Sequence, residues 1–191
     1  MIDEYLDTLQ EGFFFSDKTI SVNLDLFEKD KTKKLLIIGN AGSGKTTLSI
    51  KLGKKYNVKS IGTDSIYKYL YDNRKHDNFK VDPQDVAKIV YYYLKQKNEK
   101  MIIEGIDIAD MYTKYSNIKD IIIKTPMIIL GQSAIKSGIR AGIRNAKTTK
   151  EHWKEIYWLT YINFKRVQPS LNQLRKDVNY KYKDNIINYK I

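Results

Sequence analysis

Residues 39–46 match the phosphate-binding loop pattern G-x-x-x-x-G-K-[ST] in full. The glycines of such a loop let backbone N–H groups turn inward around a phosphate, and the helix that follows adds the partial positive charge of its N-terminus. The lysine reaches the β- and γ-phosphates, and the final hydroxyl is a ligand of Mg²⁺. We therefore predict a site for ATP and Mg²⁺. The predicted contact residues are Gly39, Asn40, Ala41, Gly42, Ser43, Gly44, Lys45, Thr46 and Thr47.

The residues on both sides of this loop agree with the same interpretation. An apolar run at 35–38 precedes the loop and is typical of a buried strand, and residues 47–52 continue as a helical stretch. Strand, glycine loop and helix is the order that the chemistry requires. A chance glycine-rich turn between a strand and a helix is the alternative, and it would have to satisfy the pattern and both flanks by accident.

Two carboxylates follow predicted strands and are candidates for chemistry. Asp64 comes shortly after the strand at 58–61, where it could accept the proton of an attacking hydroxyl or hold a metal-bound water. It could also cap the next helix, and both roles can hold at once. Glu104 ends the apolar run 101–103 and suits an outer-shell partner of Mg²⁺ or a residue that orients substrate, with a strand-end cap as the alternative. Asp107 is a weaker candidate nearby.

Arg140 and Arg144 are four residues apart in a predicted helix, so they share one helix face. Their planar, permanently charged guanidinium groups could grip one phosphate chain and stabilise a spread-out transition-state charge. We predict a catalytic role for the pair beside Lys45 and Asp64. The alternative is two exposed arginines on a basic helix.

The elements that must position these residues alternate along the chain. Short apolar runs that indicate strands are separated by stretches with helical periodicity, which predicts an α/β fold with right-handed crossovers and a mostly parallel sheet. A fourth strand is expected at 126–130, whereas 121–123 is ambiguous. A last strand is not evident unless residues 178–182 supply it.

Two helices have clear signals in the second half of the chain. Asp82 and Pro83 predict a helix start, with Asp as the N-cap. A later helix is predicted over 150–167, with Pro169 ending it and a capping box from Ser170 restarting it. One stripe of the later helix is predicted to be core rather than a base-stacking surface. That stripe consists of Trp153, Ile156, Tyr157, Tyr161 and Phe164.

Charge divides the chain unevenly. The formal net charge is +12, but residues 1–32 carry a net −5 and residues 132–191 a net +9. A basic field favours polyanions such as a triphosphate, a phosphorylated substrate or nucleic acid. A lysine-rich composition that merely solvates the surface is the other reading. Nucleic acid is therefore a possible partner, and the charge alone does not establish it.

Composition bounds the remaining classes. We predict an acidic extension at 1–32 packed on a domain at 33–191, with a half-buried strand at 20–26 and an anchor at Phe13, Phe14 and Phe15. The absence of cysteine excludes disulfides and Cys-based zinc sites. The apolar runs are too short for a membrane span, and the acidic N-terminus does not resemble a secretory signal. We expect a soluble, cytoplasmic protein with no membrane partner, whose oligomeric state the sequence does not indicate.

Taken together, these motifs resemble the P-loop kinases of small molecules and nucleic acids. They are the loop, residues 62–67, Glu104 with Gly105, and the Arg140-x-x-x-Arg144 helix. The group holds the nucleoside monophosphate, shikimate and gluconate kinases, the kinase module of polynucleotide kinase and the zeta toxins. Over residues 33–150 the resemblance implies a three-layer P-loop NTPase fold with helices on both faces of the sheet.

The resemblance also implies roles for single residues. Asp64 matches the aspartate that binds or activates the acceptor hydroxyl, and Arg140 and Arg144 match arginines of a lid over the phosphates. The chain departs from the adenylate kinases, because residues 65–68 lack the arginine that holds an acceptor phosphate and no Arg-Asp element follows Arg144. The F-R-x-x-E element of shikimate kinases is missing as well.

We therefore predict a phosphotransferase that moves the γ-phosphoryl of ATP to a nucleoside, a nucleotide or a similar small hydroxyl or phosphate acceptor. One alternative is a kinase of polynucleotides, acting on a 5′-hydroxyl end or a modified base in DNA. Another is a nucleic-acid-associated P-loop ATPase, which usually has an hhhhDE strand end, whereas Gly105 follows Glu104 here. A switch GTPase should carry an N-K-x-D motif, and the sequence contains none.

Overall fold

Within the described part of the chain, five strands form one sheet in which every pairing is parallel, in the order β2-β3-β1-β4-β5. The strands are β1 (Lys34–Gly39), β2 (Lys59–Gly62), β3 (Met101–Gly105), β4 (Met127–Leu130) and β5 (Ile186–Ile187). This computed structural model describes residues 34–73, 80–96, 99–130, 134–145, 149–181 and 186–187. The strand predicted at 20–26, the triple-Phe anchor and the packing of the extension at 1–32 lie outside the described residues.

Helices connect the strands and continue beyond β4. They are α1 (Lys45–Tyr56), α2 (Thr63–Asn73), α3 (Pro83–Lys95), α4 (Asp107–Lys114), α5 (Ser116–Lys124), α6 (Ala134–Asn145), α7 (Thr149–Ile162) and α8 (Gln168–Lys181). A π-helical segment, Asn163–Val167, joins α7 to α8 and is called the π segment below. The predicted start of α3 is confirmed, because Oδ1 of Asp82 accepts a hydrogen bond of 2.8 Å from the backbone N–H of Gln84.

The sheet is buried on both faces. Alternate residues of β1 belong to two different apolar clusters, with Leu35 and Ile37 on one face and Leu36 and Ile38 on the other. The first face packs on α1, and the second packs on a larger layer that includes residues of α2, α3, α4, α5 and α8. Strands buried on both sides explain why β1 and β3 are nearly continuous apolar runs. The predicted α/β fold with three layers and a parallel sheet is confirmed.

Two predictions about the sheet need correction or completion. The ambiguous residues 121–123 are helical and belong to α5, where Ile122 is fully buried. Residues 178–181, offered as a last strand, form the end of α8 instead. The last described strand is the two-residue β5, which pairs in parallel with Met127 and Ile128 of β4. Two residues are too short a run to show strand periodicity in the sequence.

The predicted helix break at Pro169 is wrong. The chain remains helical from α7 through the π segment into α8, and Pro169 is the second residue of α8. Proline has no N–H to donate, so the helix lacks one hydrogen bond at this position and continues past it. The expected capping box also does not form: Ser170 Oγ donates to Asp110 Oδ1 at 2.7 Å, and Gln173 Nε2 donates to both carboxylate oxygens of Asp177 at 3.0 Å.

Helices α6 and α7 pack closely as an antiparallel pair. An added Cβ at Gly138 would lie 2.7 Å from Cα of Thr160, and one at Gly142 would lie 2.6 Å from Cα of Ile156. Gly138, earlier in α6, contacts Thr160, which is later in α7, whereas Gly142 contacts the earlier Ile156. The two helices therefore run antiparallel. The two glycines therefore allow the backbones to approach at the contact.

This packing overturns the predicted core stripe of α7. Trp153, Tyr157, Tyr161 and Phe164 are 75%, 73%, 47% and 59% exposed. Ile156, the aliphatic member of the predicted stripe, does face α6, together with Thr160, and the glycine side of α6 leaves no room there for large rings. Large aromatic side chains at helical spacing predict burial, but the close approach of the α6 backbone leaves space only for aliphatic or small side chains at the contact.

Among the described helices, none is both long enough and apolar enough to cross a membrane.

Candidate active site

The loop between β1 and α1 depends on two glycines with left-handed backbone conformation. Gly42 has φ 79° and Gly44 has φ 89°, values that residues with a side chain rarely adopt. An added Cβ at Gly42 would also lie 2.1 Å from the carbonyl oxygen of Ser137 in α6. The strand, loop and helix that the sequence predicts are therefore present, and the loop packs against α6.

The polar groups of the loop fit a phosphate chain. Lys45 Nζ donates to the carbonyl oxygen of Asn40 at 2.9 Å, so its ammonium group lies over the loop. Ser43 Oγ is buried and has no hydrogen-bond partner within the described part of the chain. The first turn of α1 follows directly, and its N–H groups and dipole attract anions. A phosphate would supply acceptors for all of these donors.

Lys45 lies within the protein, with 8% of its surface exposed. Burial lowers the pKa of its ammonium group, whereas the negative charges of Glu104 and Asp64 oppose this effect. The positive charge of Arg144 lowers the pKa of Lys45 further. An anion beside Lys45 would add to the stabilisation that the two carboxylates provide.

Thr46 and Glu104 form a direct pair. Thr46 Oγ1 donates to Glu104 Oε1 at 2.8 Å, and Glu104 is 6% exposed at the end of β3. In the sheet, Glu104 lies between Ile37 of β1 and Gly62 of β2. An added Cβ at Gly62 would lie 2.9 Å from Glu104 Oε1, so this glycine gives the carboxylate its space.

Burial raises the pKa of Glu104, and the charge of Lys45 opposes that rise. The charge of Asp64 raises it further, and the hydrogen bond from Thr46 lowers it. A hydroxyl and a carboxylate beside a phosphate loop are the oxygen donors that Mg²⁺ uses together with phosphates and water. The residues therefore fit the metal. A ready cluster of three or more His, Cys, Asp or Glu ligands is not found among the residues that the structure describes.

Asp64 lies in the first turn of α2, one residue after the helix begins at Thr63. It is exposed and lines the same cavity as the loop. As the second helical residue it is displaced from the N-cap position that the sequence offered as an alternative, although its negative charge still suits a helix N-terminus. Its catalytic role remains a prediction.

The loop and these side chains open on one cavity of about 480 Å³. We call Gly42, Gly44, Lys45, Thr46 and Arg144 of its lining the loop end, and Asp64, Tyr67, Asp107 and Arg166 the acidic end. Ala141, Leu159 and Ile162 add apolar surface from α6 and α7.

The structure separates the two predicted arginines. Arg144 lines the cavity, and its charge acts on both Lys45 and Glu104. Arg140, one turn earlier on α6, is exposed and is not among the residues that line the cavity. The helix face they share therefore brings one guanidinium group to the site, and the predicted role of Arg140 has no contact in the cavity to support it.

The π segment holds the loop from behind through Asn163. The side-chain oxygen of this fully buried residue accepts a hydrogen bond of 2.9 Å from the backbone N–H of Ala41. Its amide nitrogen donates to the carbonyl oxygens of Ala41 and Ala134, each at 3.3 Å. Asn163 thus links the loop to the start of α6. The π-helical geometry of this segment is typical of functional positions.

Arg166 is a site residue that the sequence interpretation missed. It lies in the π segment, and its guanidinium group donates to both Asp107 and Asp110 of α4. Burial disfavours its charged form, but the hydrogen bond to Asp110 and the charges of both carboxylates outweigh burial and raise the pKa of Arg166. Burial also raises the pKa of Asp107, which the charge of Arg166 opposes.

A sequence signal for this cluster existed. Ile156, Leu159, Asn163 and Arg166 recur at steps of three and four residues, which places them on one side of a helix. The neighbouring aromatic residues are more apolar, and their spacing therefore favours the prediction that they belong to the core. The polar residues Asn163 and Arg166 on the other stripe are the sequence signal for a site.

Comparisons with known proteins give structural neighbours only. No protein-family model and no curated protein matches the chain. It is similar to the shikimate kinase of Bacteroides thetaiotaomicron, with 16% identity, a TM-score of 0.45, and coverage of 76% of this chain and 98% of that one. A shikimate kinase from Acinetobacter baumannii in complex with shikimate has 13% identity and a TM-score of 0.44, covering 74% of this chain and 79% of that one.

A gluconokinase from Sinorhizobium meliloti 1021 is also similar, with 10% identity, a TM-score of 0.40, and coverage of 78% and 97%. Similarities this low carry no argument about activity or acceptor. The fold assignment depends on features of this chain itself, namely the loop after β1, the Thr46–Glu104 pair and the parallel sheet. These features give the chain the three-layer α/β fold with a phosphate-type loop after β1, as the sequence predicts.

Proposed function

We propose that this protein is an ATP-dependent phosphotransferase that acts on the hydroxyl group of a small acceptor. The observation that supports the proposal best is the shared cavity. It is lined both by a phosphate-type loop and by the exposed carboxylate of Asp64 in the first turn of α2. A cavity of about 480 Å³ suits a nucleotide's phosphates and a compact acceptor.

At the loop end the protein's contribution is positioning and charge. The N–H groups of the loop and the ammonium group of Lys45 hold the phosphates, and Arg144 stabilises the negative charge that spreads over the transferred group. Thr46 and Glu104 would hold Mg²⁺. The metal supplies further neutralisation of phosphate charge when it is bound.

At the acidic end the chemistry is proton transfer. Asp64 accepts the proton of the acceptor hydroxyl as that oxygen bonds to the γ-phosphorus, while the bond from the γ-phosphorus to the bridging oxygen of ATP breaks. ADP leaves with the electron pair of that bond. The products are ADP, the phosphorylated acceptor and one proton.

The proposal is tested by screening ATP consumption against nucleosides, nucleotides, sugars, sugar acids and 5′-hydroxyl oligonucleotides, with mass spectrometry of the products. We expect a phosphorylated acceptor and ADP in equal amounts. ATP hydrolysis at the same rate with and without every acceptor would contradict a phosphotransferase, and it would favour the predicted alternative of an ATPase.

A polynucleotide acceptor is the second candidate, and the exposed face of α7 favours it. Trp153, Tyr157 and Tyr161 project from the protein, and residues 134–167 contain eight basic and two acidic residues. The rings of Tyr157 and Tyr161 are stacked, with centroids 6.4 Å apart. Exposed aromatic rings among basic side chains are typical of surfaces that bind single strands.

Fluorescence anisotropy with a labelled oligonucleotide at several salt concentrations separates the candidates. A bound polynucleotide should give a slope of log K against log[salt] of roughly −0.7 to −0.9 per phosphate contact. Absence of binding at low salt would leave the small acceptor.

A further inference from the structure

The acidic end of the cavity contains more negative than positive charge. Asp64 and Asp107 line it, and Asp110 lies directly behind Asp107 on α4. Arg166 is the cation that lines this end among the described residues. Lys114 approaches Asp110 at 3.5 Å, but its side chain is 58% exposed.

Arg166 is already committed to these carboxylates. Its Nε donates to Asp110 and one terminal nitrogen donates to Asp107. Ser170 donates to the second oxygen of Asp110 at 2.7 Å, which holds that carboxylate in place. Two of the five N–H donors of Arg166 are therefore directed at α4, where its single positive charge faces the two carboxylates of Asp107 and Asp110.

The carboxylates of this end also act on each other. The charges of Asp64 and Asp110 both raise the pKa of Asp107, in addition to burial. Tyr67 has its pKa raised by burial and by the charge of Asp107. A further negative group brought into this end would face the same repulsion, because like charges in a partly buried site are weakly screened.

The loop end has the opposite character. Lys45, Arg144 and the backbone N–H groups of the loop all favour anions there. The two ends therefore differ in the sign of charge that they favour.

From this geometry we infer that the acceptor carries no anionic group beside its reacting hydroxyl. The acceptor class is an uncharged or cationic hydroxyl compound, such as a neutral sugar, a polyol or a nucleoside, rather than a sugar acid or a phosphate monoester. The inference rests on the proposed function. The sequence predicts either a hydroxyl or a phosphate acceptor, and the inference restricts this class to uncharged or cationic hydroxyl compounds. The tyrosine hydroxyl of Tyr67 and the carboxylate of Asp107 suit hydroxyl partners.

The test compares matched acceptor pairs: a neutral sugar with its sugar acid, and a nucleoside with its monophosphate. We expect kcat/KM to favour the neutral member by at least about tenfold, as repulsion from uncompensated charge predicts. Equal or better use of the anionic member overturns the inference and leaves the phosphotransferase standing. Product from neither member of any pair overturns both.

A variant test examines the cause of the preference. Asp107→Asn removes one negative charge and releases part of Arg166, so the preference for the neutral member should fall about tenfold. Asp120→Asn makes the same change of charge at an exposed position of α5 and should leave the preference unchanged. Thermal unfolding checks that each variant is folded, and Asp110→Asn repeats the test if Asp107→Asn is not. An unchanged preference in a folded variant would overturn the inference.

Discussion

The two ends of the cavity differ in charge and in construction. The loop end takes most of its groups from residues 39–47, and Arg144 alone comes from a distant helix. The acidic end joins α2, α4 and the π segment, so that residues about forty to sixty positions apart meet there. The first end is a local structure with one chemistry, phosphate binding. The second depends on tertiary packing, so its specificity can change through single residues while the loop remains the same.

The largest expected effect is at the loop end. Lys45→Ala should lower phosphoryl transfer by at least about 10³-fold, because it removes the cation beside the phosphates. Lys54 lies on the same helix and is exposed, so the control variant Lys54→Ala should have a nearly normal rate of phosphoryl transfer. Circular dichroism and ATP turnover on one preparation decide the outcome. A folded Lys45→Ala protein with normal turnover would remove the loop end from the mechanism.

The next effect separates the acidic end from the loop end. Asp64→Asn should lower kcat by at least about 10²-fold with the best acceptor, since an amide cannot accept the proton. Asp72→Asn in the same helix, whose native carboxylate pairs with Lys68, is the matched control. Unimpaired turnover in Asp64→Asn would reduce Asp64 to a negative charge near the N-terminus of α2.

Glu104 pairs with Thr46 of the loop, and its replacement tests the metal assignment. Glu104→Gln should lower Mg²⁺-dependent turnover by about 10–100-fold, the usual result of losing a group that holds a metal's surroundings. The amide oxygen can still accept the hydrogen bond from Thr46. Turnover measured over a range of Mg²⁺ concentrations should show a weaker apparent affinity for the metal. An unchanged magnesium dependence would contradict this role.

The same variant has a pH signature without ligands. Burial raises the pKa of Glu104, so the folded state binds this proton more tightly than the unfolded state does. The free energy of unfolding therefore falls as pH rises above about 4.3, the ordinary value for Glu. Glu104→Gln should be more stable than wild type at pH 7, and this gain should shrink toward pH 4. A pH-independent difference would argue against a raised pKa.

The smallest effects compare the two sides of α7. Gly138→Ala should destabilise the protein by about 1–3 kcal/mol, because the added Cβ would meet the backbone of Thr160. Tyr157→Ala, on the exposed side, should change the free energy of unfolding by no more than about 0.5 kcal/mol. Chemical denaturation of both variants tests this. Equal destabilisation would mean that Tyr157 is covered by a part of the chain outside the described residues or by a second copy.

The same contrast explains which features the sequence could predict. The loop, its flanking elements and the parallel sheet follow from contiguous residues, because motif and periodicity are local signals. Glu104 was found for the same reason, as the last polar residue of an apolar strand. Each of these needed no knowledge of what packs beside it.

The remainder depended on tertiary partners. Arg166 belongs to the site only because the π segment lies against α4, and Asn163 only because it lies behind the loop. The aromatic stripe of α7 was misassigned because the backbone contact with Gly138 and Gly142 of α6 reverses the usual preference for large core side chains. Such choices are made between elements, and a single sequence contains no direct record of them.

We propose that one cavity holds the triphosphate at the loop end and the acceptor at the acidic end. Calorimetric titration of a non-hydrolysable ATP analogue with Mg²⁺ into wild type, Lys45→Ala and Asp64→Asn tests it directly. We expect Asp64→Asn to bind with a Kd within about threefold of wild type, and Lys45→Ala to bind at least about 100-fold more weakly. No binding to folded wild type, or equal binding by Lys45→Ala, would contradict the claim.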